Sequence, residues 1–149
     1  MPARCFTVGV FQDSIWAARG LEALARHGFA AESLTIISRE SPDARELIRA
    51  HLNREPQAIP IEGIGDAVAA GPLLDQLQGD GRDLSTSGLA RTVNRAGFQK
   101  HDGLIYQQLI ARGGVLVAVH NEPRAADALA TLHAYGGGNA AIGAWTGRV

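Results

Sequence analysis

The chain has 149 residues and a nearly balanced charge, with 14 Lys and Arg, 15 Asp and Glu and a formal net charge of −1. This length is sufficient for one hydrophobic core, and we expect residues 1–149 to form a single domain. Lys100 is the only lysine and the arginines are scattered, so the sequence offers no basic stripe for phosphate groups. Nucleic acid is therefore not expected as a partner.

Cysteine content and hydropathy indicate the compartment. The single cysteine, Cys5, excludes an internal disulfide and a multi-cysteine metal cluster, which is typical of a reducing environment, and we expect a cytoplasmic protein. The first residues carry no apolar signal core, and acidic residues interrupt the least polar long stretch, 59–77. The sequence predicts neither a signal peptide nor a membrane span.

The chain opens with a strand, a helix and a second strand. Alternating apolar residues predict a strand over 4–11. Asp13 is a typical N-cap, and the helix that follows is predicted to end at Gly28. Apolar side chains recur along this helix at helical spacing, at Ala17, Leu21, Leu24 and Ala25. A run rich in Leu and Ile predicts the returning strand over 33–39.

The middle of the chain, about 41–112, is predicted to be a largely helical insert. Ser41 followed by Pro42 favours a helix that runs until Pro56. Because residues 59–70 contain a proline and two glycines, they are expected to form at best a bent or edge strand. Further helices are predicted to begin near Pro72, among Ser85, Thr86 and Ser87, and near Asp102.

The last segment, about 113–146, repeats the pattern of the first. The unbroken apolar run 115–119 predicts a central strand that is covered on both faces. A helix over 121–136 and a strand over 140–145 are predicted to follow. Two β-α-β halves, 4–39 and 113–146, that share one sheet form an α+β fold, and the expected architecture is a ferredoxin-like sandwich.

The order of these motifs resembles that of the bacterial heat-induced general stress protein domain family. The likeness rests on the opening Val-Gly-Val-Phe at 8–11, on Val-Ala-Ala-Gly-Pro-Leu at 68–73 and on Arg-Gly-Gly-Val-Leu-Val-Ala-Val at 112–119. The resemblance implies a small ferredoxin-like module that is linked to stress responses and has no agreed catalytic residues. The sequence departs from the family pattern at 75–83, where a polar stretch replaces the glycine- and alanine-rich segment that is frequent in relatives.

The turn at Gly71 and Pro72 has two interpretations. Gly71 permits an unusual backbone conformation, and Pro72 leaves the start of the next helix pointing outward as a weak anion site. A strand-to-helix joint without a ligand is the favoured interpretation of the same residues. The glycine pairs elsewhere do not match a dinucleotide fingerprint or a P-loop, and no cofactor is predicted.

His120 is the histidine that most favours a functional role. It ends the central strand, and the repeat places it opposite Phe11. It is interpreted either as a strand-end histidine bonded to a neighbouring backbone group or as a ligand contact or titratable switch. His51 and His101 have no partner at metal-ligand spacing, and no metal site is predicted.

One face of the predicted sheet needs a cover. If the helices of the two halves pack against Val8, Val10, Val117 and Val119, the opposite face is lined by Thr7, Phe11, Leu116, His120 and, on the last strand, Trp145. These residues are candidates for ligand or interface contacts. The middle helices, a second copy of the chain or a ligand would cover them. We favour the middle segment together with a homodimer partner.

Three classes of function remain open. A non-enzymatic, stress-associated interaction or regulatory module that acts through oligomerisation agrees best with the resemblance and with the lack of a catalytic motif. A small-molecule sensor that uses the sheet face or the helix start at Gly71 and Pro72 is the alternative. An enzyme or metal protein built around His120 and Glu122 is the third.

Overall fold

The computed structural model describes residues 5–61, 63–74, 100–120, 125–134 and 145–148, and shows an α+β protein. The strands are β1 (Cys5–Phe11), β2 (Leu34–Arg39), β3 (Gln57–Ile61), β4 (Gly65–Ala70), β5 (Val115–Val119) and β6 (Trp145–Arg148). The helices are α1 (Ser14–Arg26), α2 (Pro42–Leu52), α3 (Lys100–Ala111) and α4 (Ala125–Ala134). A short 3-10 turn, Ala31–Ser33, precedes β2.

The predicted helix caps of α1 and α2 are confirmed. Asp13 accepts a hydrogen bond from the backbone N–H of Trp16 at 2.9 Å, and the Ser41 hydroxyl accepts one from Ala44 N at 3.0 Å. Each side chain thereby satisfies a donor that the first helical turn leaves unpaired. Gly28 has a φ of 84° and ends the first helical segment where the sequence predicts.

The strands form one antiparallel sheet in the order β3-β4-β2-β5-β1-β6. β5 pairs antiparallel with both β1 and β2, so β1 and β2 run parallel to each other with β5 between them. β1 in turn pairs antiparallel with β5 and β6. The predicted sharing of one sheet by the first and last segments is confirmed, and each segment contributes a strand that lies between two strands of the other.

The middle segment contains α2 and α3 as predicted, and it also contains two strands where at best one bent or edge strand was expected. β3 and β4 pair as a hairpin, and β4 joins the sheet beside β2. β3 is the edge strand, and Pro60 lies in it opposite Asp66. Proline is tolerated there because an edge strand has neighbours on one side only. The helix predicted to begin among Ser85, Thr86 and Ser87 and most of the strand predicted over 140–145 lie outside the described residues.

The helices of the two halves, α1 and α4, cover one face of the sheet together with α2 of the middle segment, and we call this the α1 face. Here α1, α2 and α4 pack on a core that includes Phe11, Ile36, Val117 and Val119. Ala17, Leu21 and Leu24 point into this core as expected, whereas Ala25 is exposed. The helices therefore present one narrow apolar stripe to the strands.

The prediction that Val8 and Val10 face the same helices as Val117 and Val119 is wrong. The sequence repeat equates Val8 with Val117, but the antiparallel register pairs Gly9 with Val117 and Thr7 with Val119. Directly opposed residues share a face, so a shift of one residue reverses the faces of β1.

The opposite face, which we call the α3 face, is covered by the middle segment. Val8, Val10 and Leu116 lie in a core with Tyr106 and Ile110 of α3. Leu73 and Leu74, which follow β4, belong to the same core. The expected cover from the chain's own middle segment is confirmed here. Within the described ranges, no helix is long and apolar enough to cross a bilayer.

Candidate functional site: a groove between α1 and α2

A groove of about 460 Å³ lies where α1 and α2 run side by side on the surface of the α1 face. Both helices turn their apolar stripes toward the sheet, so the groove is lined mostly by side chains outside those stripes, and Leu47 of the core is the exception. The walls are formed by Ser14, Ile15, Ala18 and Arg19 of α1 and by Asp43, Glu46, Leu47, Ala50 and His51 of α2.

The first turn of α1 exposes two large apolar side chains. Ile15 is 65% exposed and Trp16 is 37% exposed. The guanidinium of Arg19 lies 4.9 Å from the centre of the Trp16 ring, a cation–π contact that holds the indole against the helix surface. Ile15 and Arg19 line the groove, and Trp16 adds apolar area beside Arg19.

The two walls of the groove carry opposite charges. Arg19 lies on the α1 wall, and Asp43 and Glu46 lie on the α2 wall. Elsewhere on α2, Arg45 binds Glu40 through two of its nitrogens, and its hydrogen bond holds the pKa of that carboxyl below the usual range. In the part of the chain that the structure describes, Arg19, Asp43 and Glu46 form no such ion pair.

His51 lies at the end of the groove and is half-buried. Burial lowers the pKa of its imidazole, and the negative charge of Glu22 on α1 acts in the opposite direction. The groove therefore contains a titratable group whose neutral form is favoured by burial.

The turn at Gly71 and Pro72 is packed tightly against β2. Gly71 has a φ of 123°, and a Cβ there would lie 2.4 Å from Leu34 O and 2.5 Å from Thr35 Cα. The backbone N–H of Leu73 donates to the buried Thr35 hydroxyl at 2.9 Å. Since this donor is already satisfied from within the protein, the geometry favours the strand-to-helix joint over an anion site.

The structure does not bring the predicted sheet-face candidates together. Thr7 and Phe11 are buried on the α1 face, and Leu116 is buried on the α3 face. Trp145 begins β6, and its backbone pairs with Val8. The structure describes the backbone of this residue and not its side chain.

His120 follows the central strand, as predicted, but it does not lie opposite Phe11. The antiparallel register places Val115 across from Phe11, which puts His120 at the far end of β1. The backbone N–H of His120 donates to Ser33 O at 2.8 Å. Glu122 lies outside the described residues, and within those residues no group of three or more His, Cys, Asp or Glu is placed to hold a metal ion.

The sequence prediction did not identify the groove, although one local signal was present. Ile15 and Trp16 lie in the first turn after the Asp13 cap, but they do not belong to the apolar stripe of α1. Large apolar residues that lie off the core stripe of a helix are expected on the surface. Only the position of α2 beside α1 shows that a groove lies next to them.

No protein-family model, no curated protein and no solved structure matches this chain.

Proposed function

We propose that the protein is a non-enzymatic, stress-associated interaction module that acts as a homo-oligomer in the cytoplasm and binds protein through the groove between α1 and α2. The observation that carries this proposal is the exposure of Ile15, which lines the groove, and of Trp16, which lies against the groove residue Arg19. Aromatic side chains and arginine are enriched at protein interfaces and dominate binding energy there. The link to stress rests on the sequence resemblance alone.

A ferredoxin-like sandwich is the fold that we propose for the module. The order β2-β5-β1-β6, with α1 and α4 together on one face, supports this assignment. The β3–β4 hairpin then extends the sheet beyond β2. In this arrangement α1 and α2 stay at the surface, where a partner has access to the groove.

The energy that the groove offers is suitable for reversible binding. Full burial of one large apolar side chain is worth about 1.5–3 kcal/mol, whereas a micromolar complex requires about 8 kcal/mol. Ile15 and Trp16 are already partly buried, so covering them supplies only part of this energy. Additional contacts from the charged walls are needed.

Comparative co-purification tests the proposal. Tagged wild-type protein is recovered from its native cells beside the Ile15→Ser/Trp16→Ser variant and a Leu104→Ser control. Leu104 is a matched control because it is 43% exposed and lies on α3, on the other side of the sheet. We expect quantitative mass spectrometry to find proteins, including untagged copies of this chain, that the double variant loses and the control retains. If every co-purified protein is recovered equally with all three baits, the groove is not the binding surface.

Small-molecule binding is the alternative function, and the size of the groove favours it. A volume of about 460 Å³ lies within the roughly 300–1,000 Å³ that is typical of ligand sites. Thermal-shift measurements against nucleotides, amino acids and acyl metabolites test this function. A true ligand raises the melting temperature of the wild type but not of Ala50→Trp, which fills the groove, and a flat result across the screen contradicts it.

A further inference from the structure

The distribution of charge in the groove makes it complementary to itself. A two-fold interface brings the same patch of both copies together, so the patch must contain its own complement. Here a cation, Arg19, lies on one wall and the carboxylates of Asp43 and Glu46 lie on the other. A patch of a single sign would instead favour a partner of the opposite charge.

We infer that the groove between α1 and α2 binds the same groove of a second copy, with Arg19 of each copy against Glu46 of the other, with Ile15 buried between the copies and with Trp16, which lies against Arg19, at the edge of the contact. This inference rests on the proposed function, since it names the partner of the proposed binding surface. Each dimer gains two equivalent charge contacts, which supply partners for side chains that form no ion pair among the described residues.

The dimensions of the two helices indicate a weak dimer. With 13 residues, α1 is roughly 20 Å long, and two adjacent helices are roughly 20 Å wide. This footprint of about 400 Å² is below the roughly 800 Å² that each partner contributes to a stable interface. The dimer should therefore form in the micromolar range and weaken as salt screens its exposed charge pairs.

Reciprocal charge reversal tests the inference. Sedimentation velocity is measured over a range of micromolar concentrations for wild type, Arg19→Glu and Glu46→Arg, and for an equimolar mixture of the two variants. All of these positions are exposed, so the fold should persist, which circular dichroism verifies. Asp43 is left unchanged because it lies in the first turn of α2, where a negative charge stabilises the helix.

We expect the wild type to dimerise. Each variant alone should have a dimer dissociation constant at least tenfold higher than that of the wild type, and the mixture should form a heterodimer. Only the mixture restores attraction at both contacts, whereas a general loss of stability would not be rescued by mixing. Arg112→Glu, which makes the same charge change just after α3, should dimerise like the wild type.

Two outcomes overturn the inference. One is a wild type that remains monomeric up to several hundred micromolar, and the other is a dimer that neither charge reversal weakens. The first outcome also removes homo-oligomerisation from the proposed function, whereas the second leaves that function intact. That function fails separately, if co-purification does not depend on Ile15 and Trp16.

Discussion

At the scale of single residues, Gly20 determines how closely α1 approaches β1. A Cβ on Gly20 would lie 2.4 Å from Phe11 Cζ and 2.8 Å from Phe11 Cε1. The Phe11 ring is fully buried, so it has no free space into which it can move. The pairing of a glycine with a large aromatic side chain therefore determines the packing distance.

The Gly20→Ala substitution should destabilise the protein, although alanine is the better helix former. The gain in helix propensity is up to about 1 kcal/mol, whereas overpacking a core costs about 1–3 kcal/mol. Urea denaturation measures the difference. The added substitution Phe11→Leu should cost less in the Gly20→Ala background than in the wild type, and equal costs in both would show that Phe11 is not the obstacle.

Gly71 and Gly65 both have positive φ values, of 123° and 99°, but only one is crowded. A Cβ at Gly71 would meet the backbone of β2, whereas a Cβ at Gly65 would meet nothing within 4 Å. A comparison of substitutions at these two glycines therefore distinguishes the cost of backbone strain from the cost of steric collision.

Gly65→Ala should cost about 1–2 kcal/mol, the penalty for a left-handed residue with a side chain. Gly71→Ala should cost distinctly more, because two of the three colliding atoms, Leu34 O and Thr35 Cα, are backbone atoms that cannot move independently. The free energy of unfolding of both variants checks the order. Equal losses would mean that the joint after β4 has room that the structure does not indicate.

At the scale of elements, the contact between α1 and α2 makes stability dependent on pH. Burial lowers the pKa of His51, although the opposing charge of Glu22 limits the effect, and Arg19 and Glu46 line the same groove. The unfolded chain therefore takes up a proton at His51 at a higher pH than the folded protein does. Above the pKa of about 6.5 that His51 has in the unfolded chain, its titration does not lower the free energy of unfolding. As the pH falls from there toward the lower pKa of His51 in the folded protein, the free energy of unfolding decreases.

When the pH is lowered from about 7.5 to about 5.5, the melting temperature of the wild type should therefore decrease by more than the melting temperature of His51→Gln. Glutamine retains polarity and similar length but does not titrate. Thermal denaturation followed by circular dichroism at the two pH values measures the difference. A variant with the full wild-type dependence would assign the pH effect to other groups.

At the scale of the whole molecule, β5 connects the two cores. Each of its residues is buried, and they alternate between the α1 face and the α3 face. β5 also has a paired strand on each side, whereas β3 lies at the edge and exposes three of its five residues. Local opening should therefore begin at β3 and reach β5 last.

Hydrogen exchange followed by mass spectrometry should detect this gradient. Peptides that cover Val115–Val119 are expected to exchange most slowly among the strands, and those that cover Gln57–Ile61 most rapidly. Protection of β3 equal to that of β5 would show that the edge is covered by another part of the chain or by a second copy.

Local signals predicted much of the secondary structure. Asp13 and Ser41 cap helices because their side chains reach backbone donors three residues away, and Gly28 ends a helix through its own backbone freedom. The apolar run 115–119 predicted a strand covered on both faces because every position in it is apolar. These features depend on interactions within a few residues.

Tertiary structure decided the features that depend on contacts between distant segments. The register of β1 against β5 placed Val8 and Phe11 on faces opposite to those predicted, because a shift of one residue reverses every side chain. The β3–β4 hairpin joined the sheet because β4 found a partner in β2. The groove exists only because packing on the sheet places α1 beside α2, and no single segment of the sequence contains that arrangement.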